Sequence, residues 1–312
     1  MAQSRSGKKK KTGRASEILI FLLVFVLFLI IFGGLCLWAV VKINEENRQK
    51  HSSQLPSAVS NVAYTEADAR NLLVISEDNS EAQGFVVVRM DPANVRIRTM
   101  ALPRETEVDV GTATTRLFEL YKSEGAAQTE KALSDLLKVD FQNYAVVSYD
   151  NLAKIVTYLN NGVIYTLPEN LNYTSEDGDY SIRLSGGKKT LTASQVVDVL
   201  RYPAWHGGRR QQAEIHSELT AAIFNQYMTP SRAEHVDDDF YFFIERLNSD
   251  IKISHFNAMK PSLLFLAGRN TDASICTVSK IGGEYSGSGE SLRFIVSEEA
   301  AVQMQTRFGN TA

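Results

Sequence analysis

Residues 201–219 read RYPAWHGGRRQQAEIHSEL, with three arginines and a histidine around a glycine pair. Arg201 closes one helical pattern, Gly207 and Gly208 permit a close turn, and Arg209 and Arg210 fall on the first turn of the next pattern. Guanidinium forks and the free N–H groups of a helix start both bind phosphate oxygens. The spacing suits an anion, although loop arginines are equally compatible with solvated surface charge. A second cluster, LPRETEV at 102–108, sets Arg104 and Glu105 at the end of an apolar run, and Asp78 ends another run in VISEDN. Open α/β sheets take ligands at such strand ends.

Other chemistries lose their local support. The chain has no H-E-x-x-H, no G-x-S-x-G and no G-x-x-x-x-G-K-[ST], which removes the zinc peptidase, serine hydrolase and P-loop patterns. HVDDD at 235–239 offers possible metal ligands, but three acids there equally suit the positive end of a helix start. Asn172-Tyr173-Thr174 is a glycosylation triplet too common by chance to decide anything. Gly187, Lys188 and Lys189 read as a solvent-facing loop.

The elements that must carry these groups alternate. NLLVIS (71–76), FVVVRM (85–90), VRIRTMAL (95–102) and YAVVSY (144–149) read as strands, several buried on both faces. TRLFELYKSEG, QTEKALSDLLKV and NLAKIVTYLNNG carry apolar residues at helical spacing. Thr192 and Gln195 form a T-x-x-Q capping box that opens SQVVDVLRY, and another helix runs from near Arg209 to about Tyr227. The alternation indicates a layered domain of α/β class; the fold expected is a layered α-β-α domain with a central mixed sheet. The segment from 237 to 308 continues it without a linker, so one domain is expected over 67–312.

Ahead of that domain, residues 1–17 carry six basic residues. Residues 18–41 are 24 consecutive uncharged positions. As a helix they span roughly 36 Å at about 1.5 Å per residue, enough for a bilayer core of ~30 Å. The apolar stretch is too long for a secretory signal, and Leu37, Trp38 and Val40 do not suit cleavage. The charge bias puts 1–17 in the cytoplasm and the rest outside the cell membrane, as a single-pass protein with a polar stalk over 42–66. From 42 onward 27 basic and 35 acidic residues give a net charge of −8, which disfavours nucleic acid as a partner. Cys36 lies in the anchor, leaving Cys276 without an exterior disulfide partner.

Taken in order, these segments resemble the LytR-CpsA-Psr family from about residue 71 to 308. NLLVISEDN is similar to the family's strand ending in Gly-Ser-Asp, with Asp78 as the match. VVVRMDPANVRIRTMALPRET follows its strand, Asp-Pro turn, strand and Pro-Arg-Asp-Thr, with Arg104 matched and Glu105 in the Asp place. YAVVSYDNLAKIVTYLNNGV resembles the segment that closes in Gly-Gly-Val. TLTASQVVDVLRY and the following RRQQ resemble its Leu-x-Gly-x-Gln helix and Arg-Gln motif, matching Arg201, Arg210 and Gln211.

The resemblance implies a membrane-anchored protein that moves a glycopolymer of teichoic-acid or capsular type from undecaprenyl pyrophosphate to peptidoglycan or another envelope acceptor, helped by Mg²⁺; with Gln83 in place of an acid, the ion is expected to bind only when the pyrophosphate helps coordinate it. It implies catalytic roles for Arg104, Arg210 and Asp78, pyrophosphate binding by Arg104, Arg201, Arg210 and Gln211 with Arg209 beside them, and metal binding by Asp78 and Glu105. An apolar-walled pocket with Arg104, Arg201 and Arg210 at its mouth would hold the isoprenoid. The sequence also departs from the family. Gln83 stands where a second metal aspartate is expected, Ser80 where an arginine is usual, and Pro203 and Gly207 where further arginines are usual. These losses support an alternative, a catalytically impaired relative that binds lipid-linked precursor or assembly partners as a regulator or scaffold.

Overall fold

The apolar runs become strands because their β-branched residues fit a sheet covered on both faces. In the computed structural model, which describes residues 63–159, 162–176, 178 and 180–309, they form β1 (Arg70–Asp78), β2 (Glu81–Asp91) and β3 (Arg96–Leu102). The expected cytoplasmic tail, membrane helix and nearly all of the stalk lie outside the described residues. Among those described, no helix is long and apolar enough to cross a membrane. Asn79 and Ser80 join β1 to β2 with φ of 49° and 65°, the left-handed pair that a tight hairpin turn requires.

Six strands form the central sheet in the order β11-β6-β1-β2-β3-β12, where β6 is Asn143–Ser148, β11 is Asn248–Ser249 and β12 is Cys276–Ser279. β1 runs parallel to β6 and β3 parallel to β12, while β2 is antiparallel to both β1 and β3. The sheet is therefore mixed, and β1, β3, β6 and β12 all end at one edge. Helix α1 (Leu117–Leu137) follows the short strands β4 (Glu107–Val110) and β5 (Ala113–Arg116). It fuses two segments that read as separate helices, with a kink between them at Gly125, φ 79° and ψ −172°.

One sheet face packs on α1 and the C-terminal helix (Glu298–Phe308), through Leu73, Ile75, Phe85 and Val87 against Leu120, Leu133, Met304 and Phe308. The other face packs Val86, Val88 and Ala101 against Ala213 and Ala221 of a 20-residue helix (Gly208–Tyr227) and Leu266 of a further one (Ile253–Arg269). These three layers are the α-β-α architecture expected from the alternation. A third apolar cluster joins the helices Tyr149–Tyr158 and Ala193–Arg201 to the ladder of β7 (Val163–Leu167) with β10 (Gly187–Leu191). Lys188 and Lys189 are thus strand residues rather than loop residues. The Thr192–Gln195 box forms as expected, with Gln195 N donating to Thr192 Oγ1 at 3.3 Å and Thr192 N to Gln195 Oε1 at 3.0 Å. Asp237, Asp238 and Asp239 fall in the first turn of a helix (Val236–Ile244); Asp239 pairs with Arg232 and Asp237 with Lys260.

Candidate anion-binding site

The common carboxyl edge of β1, β3 and β6 gathers most of the residues singled out from the sequence. Leaving β3, the chain turns at Pro103, whose carbonyl accepts Thr106 N at 3.0 Å and Thr106 Oγ1 at 2.7 Å. Phe118 N donates to Arg104 O at 3.2 Å and Phe294 N to Glu105 O at 2.9 Å. Four hydrogen bonds therefore hold the backbone that presents Arg104 and Glu105. The Arg104 guanidinium donates to Gln83 Oε1 at 2.7 Å and lies 4.5 Å from the centre of the Phe118 ring. Arg116 meets that ring at 4.6 Å, donates to Glu290 O, and pairs with Glu119.

Arg104, Glu105, Arg116, Phe118 and Arg209 line a cleft of about 440 Å³, closed on one side by Gly289, Glu290 and Leu292. Arg209 stands at the first turn of the 20-residue helix, its Nε 3.6 Å from Glu105 Oε1 and its Nη1 donating to Gln212 at 3.0 Å. Glu105 is 7% exposed, and its Oε2 accepts no hydrogen bond. Burial, more than any charge, pulls the Arg104 guanidinium below its ordinary range; Arg209 acts the same way and Glu105 opposes. Tyr149, at the end of β6, adjoins this group. Burial chiefly raises its phenol, Asp78 adds to that, and Arg201 and Arg104 both pull against it.

The remaining expected residues are near but differently committed. Arg201 clasps Asp78 with two bonds of 2.7 Å, Nε to Oδ2 and Nη2 to Oδ1. It also lies 5.6 Å from the centre of the Tyr149 ring. Arg210 does not line the cleft: it donates to the carbonyls of Ile281 and Gly283 and lies over Phe294 at 5.2 Å. Gln211 also turns away, accepting Gly207 N at 2.7 Å and donating to Glu169 Oε1 at 3.2 Å. Consecutive residues point about 100° apart on a helix, so Arg209, Arg210 and Gln211 cannot face one ligand together.

The expected magnesium ligands do not form a metal set. Both oxygens of Asp78 are taken by Arg201 and position 83 is an amide, which leaves one unpartnered oxygen on Glu105. Among the described residues, no three His, Cys, Asp or Glu side chains gather so that they could hold a metal ion. The donors present do not fit a resident Mg²⁺, a hard cation that needs several oxygens.

The apolar cavity is also elsewhere. A space of about 280 Å³ is lined by Leu72, Phe224, Phe240, Phe243, Phe256 and Leu263 among others, and by none of Arg104, Arg201 and Arg210. Phe224 follows Arg209 on the same helix by about 22 Å along the axis at 1.5 Å per residue. The expected pocket mouth ringed by those three arginines is therefore corrected: cleft and cavity are separate.

Sequence reasoning missed Arg116, Phe118, Tyr149 and the Gly-Ser loop 286–292. Arg116 preceding a helix start was the available signal. It also missed His216, which is fully buried; its Nδ1 lies 3.1 Å from Ser76 Oγ and its ring fills the space above Gly84.

A mixed sheet with helices on both faces and an arginine-lined cleft at its carboxyl edge describes an α/β protein with a candidate anion site. The chain matches the LytR_cpsA_psr family over residues 38–308 and belongs to that family. Among solved structures, a putative transcription regulator from Eubacterium siraeum DSM 15702 has a TM-score of 0.72 at 14% identity, covering 82% of this chain and 96% of that one. TagV of B. subtilis has a TM-score of 0.64 at 15% identity, covering 78% and 98%. TagT bound to LIIa-WTA has a TM-score of 0.59 at 14% identity, covering 81% and 96%. Likenesses at such identities establish the fold. No curated protein matches the chain.

Proposed function

We propose that this protein is a cell-envelope glycopolymer transferase, anchored in the cell membrane by residues 18–41. On this reading it takes a polymer from a polyprenyl-pyrophosphate carrier and attaches it to peptidoglycan or another envelope acceptor. One observation carries the reading: three arginines from three separate elements line one cleft, and Arg104 among them forms no ion pair with a described residue, its hydrogen bond going to Gln83 and its face to the Phe118 ring. Its charge stays available to a pyrophosphate, whereas Arg116 shares its charge with Glu119 and Arg209 stands by Glu105. The family and the fold shared with a WTA-bound relative support the same ligand class.

In this scheme Arg104 and Arg209 grip the pyrophosphate and stabilise the charge that gathers on the departing lipid phosphate. Asp78 and Arg201 fix the β1 edge beside Tyr149. No step needs a metal held by the protein alone. A charge-assisted contact contributes about 1.5–3 kcal/mol. Arg104→Ala is therefore expected to weaken inorganic pyrophosphate binding about ten- to a hundredfold in calorimetry, with thermal unfolding unchanged. Equal binding by Arg104→Ala would refute the site.

The scaffold reading has its own support, since Asp78 and Arg210 are committed within the protein. Pyrophosphate-carrier binding without polymer transfer would establish it.

A further inference from the structure

An anion cleft should not contain an unpaired carboxylate, yet this one does. Glu105 lies among Arg104, Arg116 and Arg209, nine-tenths buried, with Oε2 unpartnered and Oε1 3.6 Å from Arg209 Nε. Burying a charge without hydrogen bonds is costly, and the four bonds that fix the turn from Pro103 to Thr106, one of them from Phe294 N to Glu105 O, leave it little room to escape. A carboxylate only accepts hydrogen bonds, so it repels the phosphates that its neighbours attract. What it can hold there is a donor, and the donor a phosphoryl transfer brings to phosphorus is the hydroxyl of the acceptor.

We propose that Glu105 is the general base of the transfer, an assignment that rests on the transferase reading above. The acceptor oxygen forms a bond to the polymer-side phosphorus as the bond from that phosphorus to the bridging oxygen breaks. The bridging oxygen departs with the electron pair as the lipid monophosphate. The hydroxyl proton passes to Glu105 and afterwards to water. An ionised carboxylate accepts the nucleophile's proton in the same way in protein kinases. Asp78 is the rival, but Arg201 occupies both of its oxygens.

The test uses the full 312-residue chain, a synthetic polyprenyl-pyrophosphate-linked saccharide and peptidoglycan strands, with inorganic pyrophosphate as a separate binding probe in Mg²⁺ and in EDTA. Glu105→Gln, which keeps shape and removes basicity, is expected to slow transfer by about 10²- to 10⁴-fold. Pyrophosphate affinity should not fall in either buffer and should rise, because no bond to phosphate is lost and a carboxylate that repels phosphate is removed. Glu105→Asp should recover part of the rate. Transfer by Glu105→Gln within tenfold of the parent would overturn the proposal. So would a Mg²⁺-dependent gain in pyrophosphate affinity that the parent has and Glu105→Gln lacks, since that marks a metal ligand. A parent chain that binds pyrophosphate but transfers nothing would overturn both the base and the transferase. One that binds no pyrophosphate would overturn the site itself.

Discussion

Arg104 keeps its charge for a ligand because the group facing it is an amide. Gln83 accepts its hydrogen bond at 2.7 Å without neutralising it. Gln83→Glu should therefore form an internal ion pair and weaken pyrophosphate binding about tenfold in metal-free buffer, as measured by calorimetry. His216 makes a second residue-scale prediction. Burial lowers its pKa to about 4, against ~6.5 in an unfolded chain. Below pH 6.5 the unfolded state takes a proton that the native state refuses until about pH 4. Stability should be full above that window and fall by about 3 kcal/mol through it as pH drops. Urea unfolding from pH 7 to pH 4 measures this, and His216→Gln should remove that slope whatever its absolute stability.

At the scale of elements, Gly125 lets α1 bend so that Leu117 and Leu120 before the kink, and Leu133 and Leu137 beyond it, all reach one sheet face. Its φ and ψ lie in a region essentially reserved for glycine, and an added Cβ there would meet no atom within 4 Å. Gly125→Ala should therefore cost about 2 kcal/mol through backbone strain alone, seen as a lower denaturant midpoint with an unchanged slope. Helix boundaries were readable where chemistry marks them, as at Thr192 and Gln195. The two patterns on either side of Gly125 read as separate helices, because nothing local tells a glycine that kinks a helix from a break between two.

For the whole molecule, the described residues from 63 to 309 gather in one compact unit. The proposed orientation puts this unit outside the cell. Protease added to intact cells should digest it, and protection until the cells are permeabilised would reverse the topology. The acidic net charge from residue 42 onward means that, on the proposed function, an anion would be drawn by the local arginine cleft rather than by a basic surface field.

Composition and local pattern were enough to set out the layers and the strand-edge position of Asp78, Arg104 and Glu105, because buried strands must be apolar and ligands gather where they end; the mixed strand directions came from the tertiary structure. What they could not decide was how neighbouring side chains are spent. Arg209, Arg210 and Gln211 are consecutive in sequence, but helix geometry sends the first into the cleft, the second to the carbonyls of Ile281 and Gly283, and the third to Glu169. Asp78 and Arg201 stand 123 positions apart and form one ion pair. Arg116, Phe118 and Glu290 enter the site only because the hairpin of β13 (Gly283–Ser286) and β14 (Arg293–Val296) folds back beside β4 and the start of α1. Charge availability depends on who the partner is, and partners so far apart in the chain are chosen by tertiary packing.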